Sequence, residues 1–402
     1  MHNTFALQIE KQMKNALILS FGLSAVLFTS CTKDPVEPAL NTPEVKVPYT
    51  SLSATTNYFE TFKGADGKTS VDFSGQTTRI NMLKEIDAYM RKWSTQALDA
   101  AVLNNMFENK NSPFADAALN SATDKTIVSK TAGSFATADA EAERQRFRGY
   151  FTSLAKASNS RTTEAKEGTA GKLGTYLVDE KGFEYGQFIQ KGLMGAMMLD
   201  QISNVYLGTE KQNADNSKTV DGKNYTQLEH HWDEAYGYLT QNETYPKKDP
   251  NDATKWLESY LGTYVRQVGS PNGDPAQVYM AFLKGRAAIV NNDAATRTEQ
   301  IAYLRTSLEK AVAVIAVSYL NKTKTATTDA AKFHSLSEGV GFIYALRFGY
   351  NAKINKAKSD QLLNTLMSKP NGFWGLSNTE LDNVRNEIAT AFGFDANTVV
   401  NH

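Results

Sequence analysis

Asp274-Pro275-Ala276-Gln277 opens a stretch of chain, 276–369, that contains no proline. An acidic cap residue accepts from the free amides of a first helical turn, and proline tolerates the first helical position because its missing N–H would have had no partner there. Gln277 stands where a capping box closes. The same spacing recurs at Thr226-Gln227-Leu228-Glu229 and Ser377-Asn378-Thr379-Glu380, and Ser112-Pro113 reads as a simpler cap. Downstream of such signals, apolar residues return every three or four positions: Leu83, Ile86, Met90, Trp93 and Leu98 in one run, Phe188, Gly195, Leu199 and Ile202 in another. That rhythm is the amphipathic helix, and no segment alternates as a strand does.

The sequence therefore predicts an all-α fold, a helical bundle with helices over 77–107, 113–120, 139–158, 182–206, 227–241, 253–268, 275–291, 296–319, 329–351, 356–368 and 378–392. Asn-, Asp-, Gly-, Ser- and Lys-rich segments at 208–224 and 320–328 read as linkers. The first suggests bundle halves at 51–215 and 216–402; a single helical body is the other arrangement. No period near 34 residues marks a solenoid.

The N-terminal region has a different character. Lys14 precedes an apolar run from Ala16 to Phe28, followed by Thr29, Ser30 and Cys31, the only cysteine. A charged start, a short apolar core and small residues before the cut describe a secretory signal peptide, 1–30, and the run is too short to span a bilayer. Met13 places the charge next to that core better than Met1 does. A cut before cysteine resembles the bacterial lipoprotein signal, in which the thiol of Cys31 carries the lipid that anchors the protein to the membrane. Thr32-Lys33-Asp34-Pro35 resembles the signal that sends Bacteroidota lipoproteins to the outer surface. Pro35, Pro38, Pro43 and Pro48 then make 31–50 an extended tether, with 51–402 the helical domain. A lone exported cysteine excludes an intrachain disulfide framework.

Composition narrows the function. With 43 basic and 43 acidic side chains the net charge is zero, which argues against broad capture of nucleic acid. Gly64-Ala65-Asp66-Gly67-Lys68-Thr69 lacks the phosphate-loop spacing, and 213–222 lacks the glycine and closing glutamate of a calcium loop. Neither His-Glu-x-x-His nor Gly-x-Ser-x-Gly occurs.

Five histidines are present, and His2 and His402 are terminal. Any imidazole chemistry of the body thus rests on His230, His231 and His334. His231 and Glu234, one turn apart, share a helix face, with His230 and Asp233 pointing further towards solvent. Imidazole and carboxylate so placed are ligands for a divalent or ferric ion; an exposed helix face with His231 hydrogen-bonded is the plainer reading. Glu229 reads as the capping-box acid. In Phe333 to Arg347, apolar residues occupy nearly every side, so the helix is central, and His334, Glu338, Gly341 and Ala345 share one stripe. A buried carboxylate needs a partner. For Glu338 that is His334, Arg347 or Arg286 in a structural ion pair, or a metal.

The stretches 228–239 and 333–348, behind the lipoprotein signal, resemble an uncharacterised family of Bacteroidota lipoproteins encoded beside imelysin-like proteins. Imelysin-like proteins are all-helical, with two bundle-like halves and a Gly-x-His-x-x-Glu motif. They are associated with iron regulation and uptake, and were once assigned to metallopeptidases. His231-Trp232-Asp233-Glu234 matches His-x-x-Glu, with Glu229 in the glycine position; His334 to Glu338 is one residue longer. The resemblance implies an outer-membrane lipoprotein, non-enzymatic, that helps acquire iron or another divalent metal. It would bind the ion, a chelate, an outer-membrane receptor or an imelysin-like partner, with His231, Glu234, His334 and Glu338 as metal ligands. The alternatives are a metal-assisted hydrolase with Glu234 or Glu338 as general base, and a SusD-like glycan binder using Trp256, Trp374 and tyrosines as platforms.

Overall fold

The computed structural model describes residues 46–399; Cys31, the signal peptide and most of the tether lie outside them. Fourteen α-helices make up the described chain. They are α1 (Tyr58–Thr61), α2 (Ser74–Arg91), α3 (Ala100–Glu108), α4 (Ala117–Ser121), α5 (Thr137–Ser158), α6 (Tyr185–Leu193) and α7 (Thr209–Gln212). After them come α8 (Gln227–Leu239), α9 (Tyr260–Gln267), α10 (Pro275–Val290), α11 (Ala294–Thr325), α12 (Asp329–Ala345), α13 (Lys356–Met367) and α14 (Asn378–Phe392). Two antiparallel hairpins, β1 (Gly171–Leu173) with β2 (Tyr176–Val178) and β3 (Lys248–Asp249) with β4 (Asp252–Trp256), are the only sheets among the described residues. The all-α expectation holds.

The caps explain where the helices begin. Asp274 Oδ1 accepts from the Ala276 and Gln277 amides ahead of α10, although Gln277 does not close the box. Full boxes form at Thr226–Glu229 and Ser377–Glu380. Ser112-Pro113 caps nothing; α4 starts later, with Asp116 accepting from Ala118. The run expected as one helix over 77–107 is broken, because Asp99 caps a new helix, α3, and accepts from Ala101. The 182–206 run is continuous: α6 passes into two π-helical segments, Met194–Leu199 and Gln201–Tyr206. Instead of ending before a linker at 320, α11 runs on to Thr325, with Leu320 and Thr323 buried.

Helix α11 is the axis of the core. It packs against α10, α12 and α14, and α12 packs on α6. Helix α8 packs on α2, α10 and the second π segment. Helices from either side of residue 215 thus share one hydrophobic core, and the described residues belong to one compact unit. Helix α8 is keyed into α10: Trp232 is fully buried, its Nε1–H donates to Phe282 O at 3.0 Å, and its ring fills the notch left by Gly285. A Cβ at 285 would lie 2.0 Å from Trp232 Cζ2.

The end of the segment expected to be a free tether is docked. Val47 N–H donates to Asn291 Oδ1 and Asn291 Nδ2 donates to Val47 O, each at 2.9 Å, while the Tyr49 hydroxyl donates to Asp293. Among the described residues no helix is long and apolar enough to cross a membrane.

Candidate functional site

The Thr226–Glu229 capping box fixes the start of α8 and so the facing of the turn that carries the histidines. His231 Nδ1 lies 3.1 Å from Glu234 Oε2, and Gln227 Nε2 lies 3.1 Å from His231 Nε2. With the Gln227 amide donating to Nε2, the Nδ1–H donates to Glu234. Glu234 Oε1 also accepts from Gln76 Nε2 and from the Tyr206 hydroxyl, both at 3.0 Å. Burial pushes the Glu234 carboxyl up, but the His231 bond, the charge of His230 and the Gln76 and Tyr206 bonds together hold it below its ordinary value. His230 Nε2 stands 3.9 Å from Glu234 Oε2, and the His230 ring stacks on Tyr225 at 4.7 Å. His230 and Glu234 line a cleft of about 370 Å3.

Asp233 does not point to solvent. It is fully buried and pairs with Arg286 Nε at 3.0 Å, while the Tyr58 hydroxyl donates to it at 2.9 Å. Burial pushes its carboxyl up, against the pull of Arg286. Glu229, besides closing the box, accepts from Arg286 Nη1 at 2.8 Å. Arg286 is therefore committed to α8 and is not the partner of Glu338.

On α12, His334 lies between two carboxylates: Nδ1 is 2.7 Å from Glu184 Oε2, and Nε2 is 3.6 Å from Glu338 Oε2. Tyr176 of β2 stacks on the ring at 4.0 Å. Lys191 of α6 reaches Glu338 Oε1 at 3.1 Å, with both side chains almost wholly buried. Arg347 serves Glu143 and Asp360 instead. Burial pushes the Glu184 carboxyl up, against the His334 bond. The small residues of the stripe serve close packing: a Cβ on Gly341 would lie 2.5 Å from Lys191 Cβ. Within this group Glu184 borders a cavity of about 150 Å3.

These geometries fit a metal ion poorly. Glu184 and Glu338 face the two ring nitrogens of one imidazole, Glu184 bonding Nδ1 and Glu338 lying 3.6 Å from Nε2, so the ring itself separates the carboxylates that would have to converge. The Lys191 ammonium already sits on Glu338. On α8, Glu234 is engaged by three donors, and several cations share its cleft. No bonded neighbour is shared by the two pairs, and among the described residues no group of three or more His, Cys, Asp or Glu side chains is arranged to hold a metal. A general base needs a free oxygen within reach of its water, and neither glutamate offers one without releasing a partner. As for aromatic platforms, Trp374 packs edge-on against Phe333 at 4.6 Å, and Lys248 and Arg266 cover Trp256 at 5.0 and 4.7 Å from its ring.

Sequence reasoning missed Glu184, Lys191, Gln76 and Tyr206. Lys191 alone left a local trace, a lysine among apolar neighbours three after Phe188 and four before Gly195. No curated protein and no solved structure matches the chain. A family model does, over residues 58–395, which takes in every element from α1 to α14 and both histidine turns. The chain belongs to the family described as Domain of unknown function (DUF4856).

Proposed function

We propose that this protein is a non-enzymatic binding accessory of the bacterial cell envelope, held at the outer membrane through lipid on Cys31. In this reading it serves the acquisition of iron or another metal, together with an outer-membrane receptor or an imelysin-like protein. The leader ending at Cys31 supports the location, and the likeness of 228–239 and 333–348 to Bacteroidota lipoproteins encoded beside imelysin-like proteins supports the role. The observation that carries the reading is the cleft of about 370 Å3 on which His230 and Glu234 of α8 open. Because neither pair suits a bare cation, the reading takes the metal as a chelate.

The test is equilibrium dialysis of the purified full-length protein against ferric iron alone and against ferric citrate, with the retained iron measured by elemental analysis. Retention of the chelate, reduced by His230→Ala, is the expected result. Absence of retained iron in both arms overturns the metal role.

A further inference from the structure

Three arginines are buried among the described residues: Arg79, Arg286 and Arg347. Arg286 has two carboxylate partners, Glu229 and Asp233. Arg347 also has two, Glu143 and Asp360. Arg79 has none. Its Nε donates to Thr126 O at 3.0 Å and its Nη1 to Gly75 O at 3.2 Å, and both acceptors are neutral carbonyls. An arginine that is only 6% exposed as a residue and has no carboxylate in ion-pair contact among the described residues is costly to bury, whereas the other two have two carboxylates each. Arg79 is also the one of the three that lines an open cleft, the same one that His230 and Glu234 border.

In the rest of the lining, too, cations outnumber carboxylates. Lys130 reaches the Tyr206 hydroxyl at 3.2 Å and lies over that ring at 5.3 Å, with no carboxylate in ion-pair contact. Burial, and after it the charge of Arg79, hold the Lys130 ammonium below its ordinary value. Lys223, paired with Asp72, and Lys125, paired with Asp124, complete four cations against the two carboxylates of the lining, Asp72 and Glu234. The first turn of α2, Ser74 to Gln76, forms part of the wall and adds the positive end of an 18-residue helix. The buried Nδ1 of His230 has no hydrogen-bond partner among the described residues.

We infer that this cleft binds a ligand through oxyanion groups, carboxylate or phosphate, with Arg79 and Lys130 as its charge partners and Lys223 and His230 at its rim. The volume of about 370 Å3 admits a tricarboxylate or a phosphate ester. This inference rests on the binding role proposed above and gives its ligand a chemical class: the anionic shell of a chelate, or the anion itself.

The experiment is isothermal titration of the purified full-length protein in detergent with citrate, inorganic phosphate and ferric citrate, at low and high sodium chloride. Citrate or phosphate binds, the affinity falls as salt rises, and Lys130→Gln weakens it tenfold or more. Arg79→Lys, which keeps the charge, retains more binding than Arg79→Gln, and circular dichroism confirms that each variant is folded. Failure of both citrate and phosphate to bind overturns the inference, and so does binding that Lys130→Gln and Arg79→Gln leave unchanged. The two readings separate cleanly. Citrate binding without ferric citrate binding keeps the anion site and removes the metal role. Ferric citrate binding that is indifferent to Lys130→Gln does the reverse.

Discussion

Replacing Lys191 with methionine tests whether Glu338 is held by an ion pair or kept for a metal. The ammonium lies 3.1 Å from Glu338 Oε1, and the two side chains are only 4% and 8% exposed. At an effective dielectric constant near 20, charges at that separation attract by about 5 kcal/mol. Methionine fills most of the lysine volume, so the loss is chiefly electrostatic: Glu338 remains buried with no lysine or arginine in ion-pair contact among the described residues, and with His334 Nε2 3.6 Å away. Removing one partner of a buried pair typically costs about 3–5 kcal/mol, and the same range is expected here. Urea denaturation followed by tryptophan fluorescence measures it, since Trp232 is fully buried and reports the core. The double variant Lys191→Met with Glu338→Leu removes both charges and should recover most of the loss. If Lys191→Met costs under about 1 kcal/mol, or if the protein then takes up a divalent ion at Glu338 and becomes more stable, the ion-pair reasoning is wrong.

Three further outcomes follow from the same geometry. Gly285→Ala places a Cβ 2.0 Å from the rigid Trp232 ring, and overpacking of about 1–3 kcal/mol or more should appear as a lower urea midpoint with an unchanged slope; an unchanged midpoint would mean that α8 and α10 yield freely. Because the folded Glu234 carboxyl titrates below its ordinary 4.5, its contribution is present above that value and is lost as pH falls through the lower folded pKa. The stability gap between the protein and Glu234→Gln should therefore close in acid, and a gap independent of pH contradicts the assignment. Asn291→Ala removes both bonds to Val47; at about 1 kcal/mol each, tryptic cleavage after Lys46 should quicken roughly tenfold or more, as mass spectrometry of the digest would read.

The helices were legible where local chemistry decides them. Thr226 and Glu229, Ser377 and Glu380, and Asp274 announce three starts within four residues each, and the caps form. Boundaries blurred where tertiary packing overrode composition. Leu320 and Thr323 carry α11 through a stretch polar enough to read as a linker, because one face of it is buried. The hairpin ending at Trp256 is short and exposed, so its strands have no buried face to impose alternation, and Lys248 and Arg266 settle its tryptophan through their charges. The candidate residues were found, but their partners were not. Glu338 visibly needed a cation, yet which one depended on α6 lying against α12, and Arg286 was already spoken for by α8. Arg79 lies in an amphipathic turn that looks ordinary. Its lack of a counter-ion is a property of three dimensions alone.

The Trp232 key in the Gly285 notch has a mechanical meaning for the cleft. An indole locked by shape and by its bond to Phe282 leaves α8 no room to roll or slide, since close-packed interiors do not deform continuously. The wall bearing His230 and Glu234 is thus a fixed jaw, and accommodation of guests of different size falls to the longer, unbranched side chains of Lys130 and Lys223 that share the cleft.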